Sequence, residues 1–238
     1  MMLILALILF IGYFVQTITG FGSTLIILTL GILFFQLYEI LPIVLLLNVM
    51  MCFFMVLIHY KNIDYPFLLK NIFSYMGLGF VLGLWTSQWI EKFSISLNKL
   101  FAGLIFILSL FEFFLLYKNK SFKIQNPIFA RFWVFISGVV HAIFATGGPF
   151  LVYGISHFNI DKFVFRISLI FVWLIFDSLL LIRHSMSLEQ FKTSLFMMLV
   201  LPVSIGLGQK VYEKISVEHF QLMIRGILIV STLIILLK

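Results

Sequence analysis

No aspartate, glutamate, lysine or arginine precedes Glu39, and three further charge-free stretches follow: Glu39 to Lys61, Lys70 to Glu91, and Arg131 to Asp161. About 20 apolar residues cross 30 Å of hydrocarbon, so an uncharged apolar run of this length reads as a membrane segment. Composition agrees, with 63% hydrophobic and 11% charged residues where soluble domains have roughly 45–50% and 25%. A soluble core of this size cannot hide that much apolar surface, so lipid is the solvent. A soluble enzyme, a nucleic-acid binder and a disordered protein are thereby excluded.

The net charge of +7 would point to a polyanion in a soluble protein. Here the basic residues sit in short connections between apolar runs, where they act as orientation signals. Cys52 is the only cysteine and lies inside an apolar run, which rules out an intrachain disulfide or a cysteine-based metal site. Met1 to Phe10 has neither a basic n-region nor a small-residue cleavage pattern, so these residues are expected to belong to the mature first membrane segment.

Eight apolar segments are expected, at about 2–35, 40–58, 65–90, 97–117, 132–158, 163–182, 191–208 and 217–237. The longest polar connection, from Tyr117 to Arg131, is basic and divides the chain nearly in half. The halves match in detail. Glu91-Lys92-Phe93-Ser94 recurs as Glu213-Lys214-Ile215-Ser216 at an offset of 122, Gly83 corresponds to Gly206, and Gly12 and Gly20 correspond to Gly138 and Gly147 at offsets of 126 and 127. The expected organisation is an all-α polytopic membrane protein of two homologous halves of four segments: residues 1–117, a linker 118–130, and residues 131–238.

The first segment of each half is unusual. The run 2–35 has 34 residues, and at 1.5 Å per residue a straight helix of that length would reach about 50 Å, far more than the hydrocarbon needs. In its middle stands Thr17-Ile18-Thr19-Gly20-Phe21-Gly22-Ser23-Thr24, and in the middle of 132–158 stands Ala145-Thr146-Gly147-Gly148-Pro149. Glycine costs about 1 kcal/mol and proline about 3 kcal/mol inside a helix, so both segments are expected to break there. Glycine- or proline-interrupted segments at matching positions of two halves point to a secondary transporter's binding site.

Two halves of about four segments, each opened by such a break (Gly20-Phe21-Gly22-Ser23, then Gly147-Gly148-Pro149), resemble the sulfite exporter TauE/SafE family. The resemblance covers essentially the whole chain, and the second motif is the more specific. The first departs from the denser glycine cluster followed by proline that the family leads one to expect. The resemblance implies a multi-pass permease of the bacterial inner membrane that moves sulfite, sulfonates, sulfoacetate or related sulfur compounds.

The breaks themselves offer chemistry. A helix restarting near Ser23 or Pro149 presents backbone N–H groups without partners and a partial charge of roughly +0.5, which together form an anion site. Pro149 suits the first helical position. Two such termini facing each other, with the hydroxyls of Thr19, Ser23, Thr24 and Thr146 and the backbones of Gly20, Gly22, Gly147 and Gly148, would hold one small anion without a central lysine or arginine. Gln16 and Asn48 are further candidate ligands or interhelical hydrogen-bond partners. His141 and Asp177 are candidates for proton coupling; the competing roles are a neutral histidine bonded to a neighbouring helix and a carboxylate paired with Arg183 or His184. Gly79 and Gly83 read as a helix-packing pair. Glu112, Lys70, Arg166 and Arg225 lie near segment ends, where their charged heads are expected to snorkel to the surface.

If the broken segments enter and return as hairpins, six crossings place 11 of the 16 Lys and Arg residues on one side and 5 on the other. This is the clearer positive-inside bias and makes the halves inverted, with both termini outside and the basic linker cytoplasmic. Eight plain crossings divide the same residues 9 to 7. The expected function is thus a secondary transporter for a small anion, sulfite or an organosulfonate by resemblance, working by alternating access; the alternative is a non-transporting membrane subunit or assembly factor. Expected partners are the anion and the lipid bilayer, with no nucleic acid, and a homo-oligomer is left open. No cofactor, metal or enzymatic activity is expected: no Gly-x-x-x-x-Gly-Lys-Ser/Thr loop occurs, and Ser23 lacks a Gly-x-Ser-x-Gly setting.

Overall fold

A computed structural model describes residues 1–93, 126–155 and 160–215, with isolated positions among 99–110 and residue 158. The fourth and eighth apolar segments, most of the linker, Glu112 and Arg225 thus lie outside the described residues or largely so. All described elements are helical: α1 (Met2–Thr19), α2 (Ser23–Gly31), α3 (Leu37–His59), α4 (Tyr65–Leu68), α5 (Ser74–Lys92), α6 (Pro127–Phe144), α7 (Gly148–Ile155), α8 (Lys162–Arg183), α9 (Leu188–Met197) and α10 (Val200–Lys214).

Five of these ten helix starts are fixed by side chains that take up otherwise orphaned N–H groups. Asp64 accepts from Phe67 N, Asn126 from Ile128 N ahead of Pro127, and Asp161 from Phe163 N. Reciprocal capping boxes open α3 (Gln36 with Glu39) and α9 (Ser187 with Gln190). Pro42 lies within α3, and Gln190 Nε2 reaches back to the carbonyls of Tyr38 (3.4 Å) and Glu39 (3.1 Å).

Among the described residues five helices are long and apolar enough to cross a membrane: Met2–Thr19, Leu37–Asn62, Tyr65–Ile90, Pro127–Phe144 and Lys162–Arg183. A sixth span arises if α9 and α10, which meet at a 41° bend, are one. The sequence reading treats this seventh segment as uninterrupted. The bend has a physical source in Pro202, which stands in the first turn of α10 and can offer no N–H to the preceding turn. The helices expose apolar side chains outward, with Leu3 86%, Leu78 66% and Ile182 83% accessible, the inverse of a soluble protein and the surface that lipid covers. Trp85 and Trp89 pack edge-on near the end of α5, with Lys92 over the Trp89 ring, the composition of an interfacial belt.

The chain divides into two units. Among the described residues, one combines Met1–Ile63 with residues 161–215, and the other is Asp64–Ile160. In the first, α3 lies along α8, α1 along α10, and α9 rests on α3. The short α2 doubles back on α1: a Cβ on Gly12 would meet the Ile27 side chain and, at 3.1 Å, Ser23 O. In the second unit α5 lies along α6 and α7 folds back on α6. Gly79 faces the Phe135 carbonyl, Gly83 faces Val139, and Gly138 faces the Met76 carbonyl, so α5 and α6 touch backbone to backbone. That is the packing role expected of Gly79 and Gly83, since small residues rather than hydrophobic burial hold helices together in lipid.

Candidate functional site

Both expected breaks are present. α1 ends at Gly20 (φ 84°), and Gly22 (φ 93°) precedes α2 with no side-chain cap on its N-terminus. A Cβ at Gly20 would sit 2.8 Å from Arg166 O and 3.1 Å from Arg166 Cα, so both the left-handed backbone and the neighbouring helix demand glycine there. The Gly20 carbonyl accepts from Trp173 Nε1 at 3.0 Å. Thr19 Oγ1 lies 2.7 Å from Phe21 O and accepts from Phe21 N at 3.3 Å, so its hydroxyl braces the break itself. Thr24 is buried in the first turn of α2.

Ser23, the first residue of α2, heads a chain of buried polar groups. Its Oγ donates to Gln16 Oε1 and lies 3.3 Å from Asn48 Oδ1. Asn48 Nδ2 donates to Asp177 Oδ2, and Gln16 Nε2 reaches Cys52 Sγ at 3.4 Å. Gln16, Ser23, Asn48 and Asp177 are all 2% exposed or less. Four residues singled out separately in the sequence are therefore joined across α1, α2, α3 and α8, although Asn48 and Asp177 stand 129 positions apart. For Gln16 and Asn48 the interhelical hydrogen bond is realised, and the same bonds hold their amides at the start of α2.

The second break is built differently. α6 ends at Ala145, a non-glycine residue at φ 55° whose N–H reaches the His141 carbonyl. α7 starts at Gly148, so Pro149 takes the second helical position rather than the first; its missing N–H is still one that needs no intrahelical partner. Ser137 Oγ donates to the Gly147 carbonyl at 2.8 Å. A Cβ on Gly147 would lie 2.8 Å from both His141 Cβ and Ser137 Oγ, which makes Ser137 a part of this break that the sequence reading missed. His141 is 1% exposed, with its ring 6.2 Å from that of Phe80. Thr146 Oγ1 is buried and has no hydrogen-bond partner among the described residues.

One correction concerns Arg166. Its position near a segment end predicts snorkelling, but it is fully buried. Nη1 donates to Thr17 O and to Gln209 Oε1, both at 3.0 Å, and the guanidinium carbon lies 3.5 Å from the centre of the Tyr212 ring. The signal was available in the spacing: Arg166, Ile170, Trp173 and Asp177 fall on one 3–4 stripe of α8, and all four are buried. Lys70, by contrast, is exposed as expected.

Interrupted apolar helices, outward-facing hydrocarbon side chains and a buried polar chain at an uncapped helix start define a multi-pass α-helical membrane protein of the transporter type. The family model of the sulfite exporter TauE/SafE matches residues 4–235, and the chain belongs to that family. Its class is therefore a membrane transporter of sulfur anions. Neither a curated protein nor a solved structure gives a significant match.

Proposed function

We propose that this protein is a secondary transporter that carries sulfite or an organosulfonate across the bacterial inner membrane by alternating access. The observation that carries this reading is Ser23: a hydroxyl at the start of an uncapped helix, deep in unit one and linked through Asn48 to a buried carboxylate. The free N–H groups of α2 and its dipole attract an anion. The hydroxyl and the Gln16 and Asn48 amides supply neutral ligands that can exchange their present mutual bonds for bonds to oxyanion oxygens. Such ligands cost less to bury than a fixed charge, which at the bilayer centre costs about 2.5–3.5 kcal/mol on insertion scales.

Asp177 takes the coupling role. A carboxylate bonded to Asn48 changes the orientation and basicity of that amide when it takes up a proton, and so links protonation to the ligands around Ser23. The second break, with Thr146, Gly147, Gly148 and Pro149, acts as the corresponding element of the other half, with His141 behind it. In this reading the halves 1–117 and 131–238 are inverted repeats and the linker 118–130 faces the cytoplasm.

The test is flux into proteoliposomes containing the purified chain. Saturable sulfite uptake driven by an imposed pH gradient, inhibited by organosulfonates and slowed by Ser23→Ala, is expected. Absence of both sulfite uptake and sulfite binding, with Ser23→Ala indistinguishable from the parent, would remove the proposal. A fixed-ratio partner that co-purifies and is required for any flux would favour the subunit alternative.

A further inference from the structure

Arg166 is a buried cation whose direct hydrogen-bond partners are neutral. It has no accessible surface, and its ordinary partners are two neutral oxygens, both on Nη1. Nε and Nη2 have no hydrogen-bond partner among the described residues. No carboxylate bonds it directly among the described residues: Asp161 is engaged as the cap of α8, and exposed Glu213 acts on Arg166 only at a distance, across the Gln209 amide that bonds both. A second cation shares the site: Lys162 Nζ, bonded to the Tyr212 and Ile215 carbonyls, lies 4.2 Å from the centre of the same Tyr212 ring that Arg166 approaches to 3.5 Å. Ring quadrupole attraction offsets part of the burial cost, yet Nε and Nη2 bond to no acceptor among the described residues.

Those two atoms are not a random pair. Nε–H and one Nη2–H point the same way from the planar guanidinium and form the side-on fork that accepts two oxygens of one oxyanion. The fork is also tied to the first break, since Nη1 is held by the Thr17 carbonyl and the Arg166 backbone abuts Gly20. Along α8, Arg166 and Asp177 are separated by eleven residues, about 16 Å of helix axis, so the fork stands apart from the polar chain around Ser23.

We propose that the Nε–Nη2 edge of Arg166 is a second anion station, which grips a sulfite, sulfonate or like two-oxygen group bidentately on its way to or from the Ser23 ligands. The station is closed in this structure, and an anion gains it when the break and the seam of α8 with α10 part, a motion that alternating access supplies. This inference rests on the oxyanion-carrier reading and goes beyond it in naming a charged ligand away from the helix start.

The test compares the parent protein, Arg166→Lys and Gln209→Glu in proteoliposomes, with sulfite as the probe. Lysine keeps the charge but loses the fork, and a carboxylate at Gln209 neutralises the guanidinium from the Nη1 side. Both variants are expected to raise the half-saturating sulfite concentration by about tenfold or more and to shrink the sulfite-induced rise in melting temperature. A purely structural arginine gives the opposite pattern, with melting temperature without sulfite altered and half-saturation unchanged; that result overturns the station while leaving carrier function intact. If Arg166→Lys does not fold, Gln209→Glu decides alone. A parent protein that neither binds nor carries sulfite overturns both readings together.

Discussion

The two breaks answer the same backbone problem with different chemistry. At the first, glycines at φ 84° and φ 93° take the left-handed turns, and polar side chains are bonded in sequence: Thr19 to the turn, Ser23 to Gln16, and Asn48 to Asp177. At the second, an alanine takes the left-handed position, Ser137 latches the Gly147 carbonyl, and the Thr146 hydroxyl is buried with no hydrogen-bond partner among the described residues. The first break is thus a network whose members restrain one another, and the second is a tight turn holding one spare hydroxyl. Damage to a single group should spread in the first and stay local in the second.

The largest contrast is in the backbone. Gly20→Ala should lose about 2–5 kcal/mol, from a left-handed penalty of about 1–2 kcal/mol and an overpacking cost of about 1–3 kcal/mol against Arg166 O, measured as lost folded yield and melting temperature in detergent. Asp177→Asn keeps a neutral partner for Asn48 but removes the titrating group. It should abolish uptake driven by a pH gradient while sparing sulfite exchange at equilibrium, and a variant still driven by the gradient would detach Asp177 from coupling. Next comes Ser23→Ala, which strips a partner from Gln16 and should destabilise by about 1–3 kcal/mol as well as slow flux. Thr146→Val, which removes a hydroxyl with no hydrogen-bond partner among the described residues, should leave melting temperature unchanged or slightly raised; equal destabilisation by the two substitutions would erase the distinction between the breaks. The smallest effect belongs to Ala145→Gly, where relief of the left-handed strain and the added freedom of the unfolded chain leave a net gain of at most about 1 kcal/mol, read as a rise of about 2–4 °C.

The location of both breaks was legible because glycine and proline act locally, through their own dihedrals and missing N–H groups. Gly79 and Gly83 were legible for a related reason, as small residues at helical spacing have few other uses in lipid. The meeting of Gln16, Ser23, Asn48 and Asp177 was not, because it depends on which helices become neighbours, and no local pattern encodes the pairing of α3 with α8. Arg166 was misread by measuring its distance to a segment end and not its angle around the helix. The stripe it shares with Asp177 places it inward, and Tyr212 in α10, 46 positions later, provides the aromatic face that makes burial tolerable. The bend between α9 and α10 was visible only as Pro202, whose effect depends on where in a helix it falls.

Pro42 ties two helix starts together. Its nitrogen carries no hydrogen, so the Tyr38 carbonyl one turn earlier receives nothing from within α3 and is met instead by the side chain of Gln190, 152 residues downstream. The first turn of α3 is thereby completed by a side chain from the opening of α9, and the starts of the two helices are fastened to each other. The imino acid leaves an acceptor that a distant stretch of the chain fills.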